Sequence, residues 1–401
     1  MRILHTADWH LGKRLDFYSR IEEQQQVLAE ICGIAEKKAV DLILIAGDLY
    51  DTFNPPNDAT ELLYKTLKKL AKDATIPVIA IAGNHDSPDR VNVANVLARE
   101  NGIILTGNPT DEVPSFDLDE SFGIQQTEPG FIELNLPQIS YPVRLIHTAF
   151  ANEVRLKEYF GEDKQQSLQE SLKSKWRHLA EKYCNKNGIN LLTTHLFMMQ
   201  RGNDTLEEPD GEKPLNIGNA DVVYSDALPH EIQYAALGHL HRYQNVGSHQ
   251  PAIYSGSPLA YSFSEAGQQK YVAIIDVEPG KRAGVERVAL KSGKPLKRKS
   301  FNNVNKAVEW LQENEEALVE LTLETDDYLK VEDRKRLYQA HDGIIHLIPK
   351  VKNAGLASNG NKQINLNQDI EALFKDYFKV KNDGQEPNKA LMDLFNEIQN
   401  N

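Results

Sequence analysis

The sequence predicts a layered α/β protein, with central β-sheets flanked by helices, then a small α+β capping domain and a C-terminal helical hairpin. Three observations predict it. Residues 1–105 alternate strand-like and helix-like segments three times. The strand-like segments are short, continuous apolar runs bounded by glycine or polar residues, the pattern of strands buried on both faces. Five such runs along the chain end in motifs bearing aspartate, asparagine or histidine, and ligands gather beyond the carboxyl ends of strands in open α/β sheets.

Taken in order, Ile3-Leu4 marks a strand at 2–6 that ends at Asp8-Trp9-His10. A helical stretch at 20–38 follows, then a strand at 41–46 (Leu42-Ile43-Leu44-Ile45-Ala46) that ends at Gly47-Asp48. A helix at 57–72 precedes a strand at 77–82, which ends at Gly83-Asn84-His85-Asp86, and a helix at 89–99 completes the third repeat. Such βα winding favours a largely parallel sheet. Residues 106–141 are rich in Pro, Asp, Glu and Gly without periodicity, so loops and short strands at a sheet edge are expected. A strand at 143–147, a polar helix at 164–185 and strands at 190–194, 232–237, 251–255 and 271–277 follow. The fourth and fifth motifs, Thr194-His195 and Gly238-His239-Leu240-His241, again sit at strand ends. Between them runs a long polar segment, of a kind that is usually functional or disordered.

After Pro279-Gly280 the pattern changes. Strands at 317–323 and 344–348, with helices at 303–313 and 331–340, make a capping domain at 279–352 behind a body at 1–278. Polar, glycine-bearing residues form a linker at 353–364. Within 365–401, Ile370, Leu373, Phe374, Tyr377 and Phe378 form one helical stripe and Leu391, Leu394, Phe395 and Ile398 a second. Two short helices cannot bury such stripes against each other alone. They either pack back onto the body or dock a partner's helices, and docking is the expectation.

At 401 residues, 40% hydrophobic and 26% charged, the composition is that of an ordinary multi-domain protein. No apolar run approaches the ~18–20 residues that cross a bilayer, and the N-terminus enters a strand at once, so a cytoplasmic protein without a membrane partner is expected. Cys32 and Cys184 show no metal or redox spacing. A net charge of −13 argues against nucleic-acid binding by the whole surface. Local basic faces remain. Lys281 to Lys299 holds eight basic residues against one acid, including Lys297, Arg298 and Lys299, and Lys13, Arg14 and Arg20 follow the first motif. Each run is either a DNA-binding face or a solvated one.

Five motifs at five strand ends deliver carboxylate, imidazole and amide groups to one rim, which is what a two-metal hydrolytic site needs. In Gly-His-x-His, the alternation of an extended chain puts His239 and His241 on one side. Mixed N/O ligands without thiolate suit Mn²⁺, with Mg²⁺ as the alternative. The chain holds 12 histidines; those outside the motifs read as structural or exposed. No Gly-x-x-x-x-Gly-Lys-Ser/Thr loop is present, so no ATP site is expected here.

These stretches resemble the calcineurin-like metallophosphoesterase superfamily. More narrowly, Met1 to Gly12, Gly47-Asp48-Leu49-Tyr50-Asp51, Gly83-Asn84-His85-Asp86-Ser87, Leu237-Gly238-His239-Leu240-His241 and Tyr254-Ser255-Gly256-Ser257-Pro258 resemble its SbcD exonuclease branch. Ala7 departs from the serine of many relatives. The resemblance implies the layered metallophosphoesterase fold. It also implies one cation on Asp8, His10, Asp48 and His241, and a second on Asp48, Asn84, His195 and His239, with Asp48 bridging. A bridging carboxylate offsets the repulsion of dications ~3.5–4 Å apart, and such a pair clamps both oxygens of an in-line phosphoryl displacement. His85, spare in that ligand count, becomes the expected acid for the leaving oxygen or the group that stabilises the phosphorane-like charge. Asp86 is expected to orient His85 or to bind metal, whereas Asp51 and Asp16 carry no expected catalytic role.

The activity implied is ATP-linked double-strand exonuclease and single-strand endonuclease cleavage of DNA, in repair and recombination. The partner implied is an SbcC-type coiled-coil ATPase, bound through the C-terminal helices, with this chain a homodimer inside a heterotetramer. Apolar faces of the 57–72 helix (Leu62, Leu63, Leu67, Leu70) and the 89–99 helix either meet a second copy or pack on the sheet. A small-molecule phosphatase or cyclic-nucleotide phosphodiesterase with the same metal set is the alternative, and it leaves the C-terminal extension unexplained. A non-catalytic scaffold would have no need of the full ligand set with His85.

Overall fold

The computed structural model describes residues 1–119, 121–161, 164–202, 222–325, 329–351 and isolated positions between 374 and 395. The expected linker at 353–364, most of the terminal hairpin and the middle of the 200–230 segment lie outside the described residues.

Four layers, helix–sheet–sheet–helix, organise the body. In the first sheet β1 (Arg2–Thr6), β2 (Leu42–Ala46), β3 (Val78–Ile81) and β4 (Ile103–Thr106) pair in parallel in that order. The helices α1 (Ile21–Lys38) and α2 (Asn57–Ala71) cover its outer face, where Val27, Ile31, Leu63 and Leu67 pack with Leu4, Ile43 and Val78. The single helix expected at 89–99 is two, α3 (Pro88–Asn92) and α4 (Asn95–Glu100). Asn92 at the break donates to Asp111 and accepts the Gly107 N–H, tying the chain to the next loop.

In the second sheet β5 (Gly123–Glu128) and β6 (Phe131–Asn135) form the antiparallel edge that the 106–141 segment was expected to supply. Next to them β7 (Val143–Thr148), β8 (Ile189–His195), β9 (Tyr234–Gly238) and β10 (Ala252–Tyr254) run parallel. Two helices follow β7: α5 (Glu153–Leu156) and α6 (Lys164–Tyr183). Leu168, Leu172 and Trp176 of α6 pack on Ile146, Leu192 and Leu237. Between the sheets, alternate residues from both meet: Ile3, Leu44 and Ile79 against Leu145, Leu191 and Tyr234. Strands enclosed in this way carry apolar residues on both faces, so the sequence runs are continuous rather than alternating.

The strand β11 (Tyr271–Asp276) lies antiparallel to β1, and β12 (Gly284–Ala289) continues the same sheet outward. That pairing joins residues 284–289 to the first sheet, although the capping domain was expected from 279, and it divides the basic run between two sheets. The second half of the run is β13 (Leu296–Phe301), which pairs in parallel with β14 (Leu318–Thr325) and through it with β15 (Ile344–Val351). Connecting α7 (Val304–Gln312) and α8 (Val331–Ala340) bury Ala307, Leu311 and Leu337 against Val319 and Leu321. In the C-terminal segment, the rings of Phe374 and Phe395 stack with centroids 4.2 Å apart, 13° from parallel. No helix among the described residues is long and apolar enough to cross a membrane.

Candidate metal centre

All five motifs meet at one rim, beyond the carboxyl ends of β1, β2, β3, β8 and β9. The loops after β1 and β2 are zipped together: Asp8 N–H donates to Gly47 O at 3.0 Å and His10 N–H to Asp48 O at 2.9 Å. Asp48 sits at the middle. Its Oδ1 accepts the His85 N–H at 2.9 Å, while its Oδ2 lies 3.4 Å from both His10 Nε2 and His195 Nε2. Asn84 Oδ1 is 2.9 Å from His195 Nε2, Asp8 Oδ1 accepts the His239 N–H at 2.8 Å, and the Nε2 atoms of His10 and His241 are 3.1 Å apart. The His195 and His239 rings meet edge to face, 5.5 Å between centroids. All seven residues that the sequence nominated as ligands are therefore brought together, and all are buried.

Close approach of this kind dictates glycine. A Cβ on Gly83 would strike the Asp48 side chain, and one on Gly47 (φ 91°) would strike the His195 ring. Backbone strain collects here too: Asp8, His10, Asp48 and His239 have φ of 54°, 43°, 47° and 112°. Left-handed conformations in non-glycine residues cost about 1–3 kcal/mol each and cluster at functional sites.

Burial and the neighbouring Asp48 carboxylate push Asp8 up to about 7, against the pull of His195 and His241. Burial works the same way on Asp48, but the imidazoles of His195 and His10 outweigh it and hold Asp48 well below the carboxylate range. For His195, burial lowers the pKa and the Asp48 and Asp8 carboxylates more than reverse that, to about 9. Its Nδ1 lies 2.8 Å from Ala46 O, a carbonyl that only accepts, so that nitrogen carries a proton and Nε2 points inward. Oδ2 of Asp8, Oδ2 of Asp48 and Nδ2 of Asn84 are buried and have no hydrogen-bond partner among the described residues. Asp8 Oδ2 is left without a polar partner among the described residues and Asp48 Oδ2 with only the two imidazoles at 3.4 Å; burying carboxylate oxygens so placed is costly, and a divalent cation is the partner that they and the converging imidazoles fit.

His85 stands beside this group with its ring 4.7 Å from that of His10. Its Nδ1 is 2.8 Å from the Asp51 carbonyl, so Nδ1 holds a proton and Nε2 is the exchangeable atom. Asp86 corrects an expectation. Its carboxylate accepts the N–H groups of Leu49, Tyr50 and Gly83 at 2.8–3.0 Å, stapling the 83–86 turn to the loop after β2; the Asp51 main chain, rather than Asp86, orients the His85 ring. Arg155 was missed, and Asp51 was named without a role. Arg155 of α5 donates to Gly83 O and Asp86 O, both at 2.8 Å, clamping that turn from outside. Asp51 lies 3.4 Å from His10 Nδ1 and 2.9 Å from Lys13 Nζ. His10, Asp51 and His85 also have ligand atoms close enough to share an ion. A lone arginine about 70 residues downstream gives no sequence signal.

The basic candidates divide. Arg20 is buried, its guanidinium bonded to Glu23 at 2.7 and 2.9 Å and to Ala260 O at 2.8 Å, which makes it a structural group and removes it from the DNA-binding set. Lys13 lines the site beside Asp51, and Arg14 binds the Phe17 carbonyl at a hairpin tip. On β13, Lys297 bonds Asn314 and Arg298 pairs with Glu320 at 2.5 Å, while Lys299 is exposed.

Comparison with known proteins agrees with this geometry. The family model for calcineurin-like phosphoesterases matches residues 1–251. The chain is 36% identical to the Bacillus subtilis (strain 168) protein named as the SbcD component of the SbcCD nuclease, over 99% of this chain and 97% of that one. It is 32% identical to the Staphylococcus epidermidis protein of the same name, over 69% of this chain and 66% of that one. A solved structure titled TT1561 of Thermus thermophilus aligns at a TM-score of 0.35 and 14% identity, over 71% of this chain and 98% of that chain, a distance at which it adds nothing. The chain belongs to the calcineurin-like phosphoesterase family and, within it, to the SbcD components of SbcCD nucleases.

Proposed function

We propose that this chain is a metal-dependent nuclease subunit that hydrolyses DNA phosphodiesters at ends and hairpins, with double-strand exonuclease and single-strand endonuclease activity. The observation that carries the reading is the convergence of Asp8, His10, Asp48, Asn84, His195, His239 and His241 around buried carboxylate oxygens that lack a hydrogen-bond donor among the described residues, in a chain similar over 99% of its length to a protein named as a nuclease subunit. Asp8, His10, Asp48 and His241 would hold one cation; Asp48, Asn84, His195 and His239 would hold the other. Mn²⁺ is the metal we propose, because the donors are nitrogen and oxygen throughout. When bound, the pair supplies Lewis-acid stabilisation of the charge that develops on the phosphoryl oxygens. His85, with Nδ1 held by Asp51 O, delivers a proton from Nε2 to the leaving oxygen. Lys13, Arg14, Lys297, Arg298 and Lys299 attract the phosphate backbone.

An SbcC-type ATPase is the proposed partner, docked on the C-terminal helices, in a cytoplasmic complex for DNA repair. Deleting 365–401 should abolish co-purification with that ATPase and preserve metal-dependent hydrolysis. For the homodimer, exposure favours the second of the two helical regions that the sequence pointed to. Leu63, Leu67 and Leu70 of α2 are buried in the core, whereas Val93, Val96 and Leu97 are 79%, 65% and 69% exposed.

The test is cleavage of end-labelled duplex, hairpin and single-stranded DNA with Mn²⁺, with and without partner and ATP. Cleavage lost on chelation supports the reading. Hydrolysis of bis-nitrophenyl phosphate without cleavage of any DNA, partner present or absent, would move the assignment to a small-molecule phosphodiesterase.

A further inference from the structure

We propose that Glu265 is a positioning residue that fixes the ring orientation and tautomer of His241, with Lys270 as its anchor. The inference rests on the reading of the site as a two-cation centre and adds a residue that no motif marked. Glu265 ends a one-turn helical segment, Phe263–Glu265, that follows the Ser255-Gly256-Ser257-Pro258 stretch. Its Oε1 lies 3.3 Å from His241 Nδ1, and on the far side of the ring His241 Nε2 lies 3.1 Å from His10 Nε2. An ionised carboxylate only accepts, so Nδ1 carries the proton and the Nε2 lone pair is turned toward His10.

What makes Glu265 a fixture rather than a passing contact is its own surroundings. Oε1 also accepts the Tyr261 N–H at 3.1 Å, and Oε2 lies 3.4 Å from Ser257 Oγ and is bonded to Lys270 Nζ. That ammonium group in turn donates to Ser257 Oγ at 3.0 Å and to the main-chain oxygen of His241 at 2.9 Å. One residue is therefore held twice, through its ring by Glu265 and through its backbone by Lys270. Glu265, Ser257, Lys270 and His241 are all buried. Replacing a buried ion pair by apolar side chains of similar volume is often neutral or stabilising, so stability alone does not account for charges placed here. Carboxylate-oriented histidines bind metals more tightly because the lone pair is pre-aimed, and removing the carboxylate typically costs about 10–100-fold in affinity.

The test uses the full-length chain, with Mn²⁺ binding followed by titration calorimetry. In the double variant Glu265→Leu with Lys270→Met, no buried charge is left unpaired; we expect a metal-free melting temperature near wild type and about 10–100-fold weaker binding at one of two cation sites. Glu265→Gln with Lys270→Met keeps an acceptor for Nδ1, and should recover most of that loss. Should the Leu/Met pair not fold, the ¹⁵N shifts of His241 in the metal-free wild-type chain decide instead: a proton on Nδ1 is expected, and one on Nε2 would overturn the proposal. Two Mn²⁺ ions bound with unchanged affinity by the Leu/Met variant would also overturn it and leave the nuclease reading intact. A wild-type chain that binds no Mn²⁺ would remove both.

Discussion

The Nε2 atoms of His10 and His241 lie 3.1 Å apart, although the residues are 231 positions apart in the chain. Two ring N–H groups cannot point at each other at that distance, so at least one of the two nitrogens presents a lone pair to the other. With Asp48 Oδ2 3.4 Å from His10 Nε2, the arrangement gathers electron-rich atoms that a cation relieves.

Cation binding should therefore stabilise the fold. We expect Mn²⁺ at 100 times its Kd to add about 2.7 kcal/mol to the unfolding free energy, read as a rise in melting temperature. Asp48→Ala should abolish the rise, since Asp48 lies between both proposed ligand groups. A rise of equal size in that variant would place the ion elsewhere.

The affinity should fall as the pH drops. Burial and Asp48 push Asp8 up to about 7, and Asp48 and Asp8 overcome burial to push His195 up to about 9, so near neutral pH both groups hold protons that a cation must displace. Calorimetry in buffers of different ionisation enthalpy should show proton release on Mn²⁺ uptake at pH 7, and weaker binding at pH 6 than at pH 8. Uptake without proton release would mean that neither group is a ligand.

His85→Gln should separate binding from chemistry. Glutamine can keep the contact to Asp51 O but cannot transfer the proton, so cleavage should fall by at least about 100-fold. The Mn²⁺ affinity should stay within a few-fold of wild type. Loss of both together would make His85 a ligand.

How far the sequence could be read depended on the range of the interactions. The apolar runs and the residues that end them are local patterns, and β1, β2, β3, β8 and β9 appear where those patterns put them. The seven candidate ligands were legible because every one sits at a strand end. Glu265 and Arg155 were not, because each acts through a contact that folding alone creates: Glu265 reaches across 24 residues to His241, and Arg155 across about 70 to the 83–86 turn. The same blindness explains Arg20, which looked like a surface cation beside the site until Glu23 and Ala260 enclosed it. The strand β12 was hidden differently. Its charged residues suit an exposed edge, so its pairing with β11 left no apolar alternation to read.

The three-stranded sheet of β13, β14 and β15 is latched to the loop after the first motif by His346, whose Nε2 is 2.6 Å from Asp16 and whose Nδ1 is 2.9 Å from Glu320. Burial would lower the His346 pKa, but these two carboxylates raise it above its ordinary value, with Arg298 competing for Glu320 and the Phe263 ring 5.2 Å away. A raised histidine pKa stabilises the fold fully below about 6.5, and the contribution is lost as the pH rises through the folded-state value. The difference in melting temperature between wild type and His346→Phe should therefore be larger at pH 6 than at pH 9. A difference independent of pH would show that the contact carries no charge.

Two-metal hydrolysis requires that these side chains hold two cations. Crystals soaked in Mn²⁺ and measured at the manganese absorption edge test this directly. We expect two anomalous peaks that share Asp48, one bounded by Asp8, His10 and His241 and the other by Asn84, His195 and His239. No peak at this rim, or a single ion without Asp48 among its ligands, would contradict it.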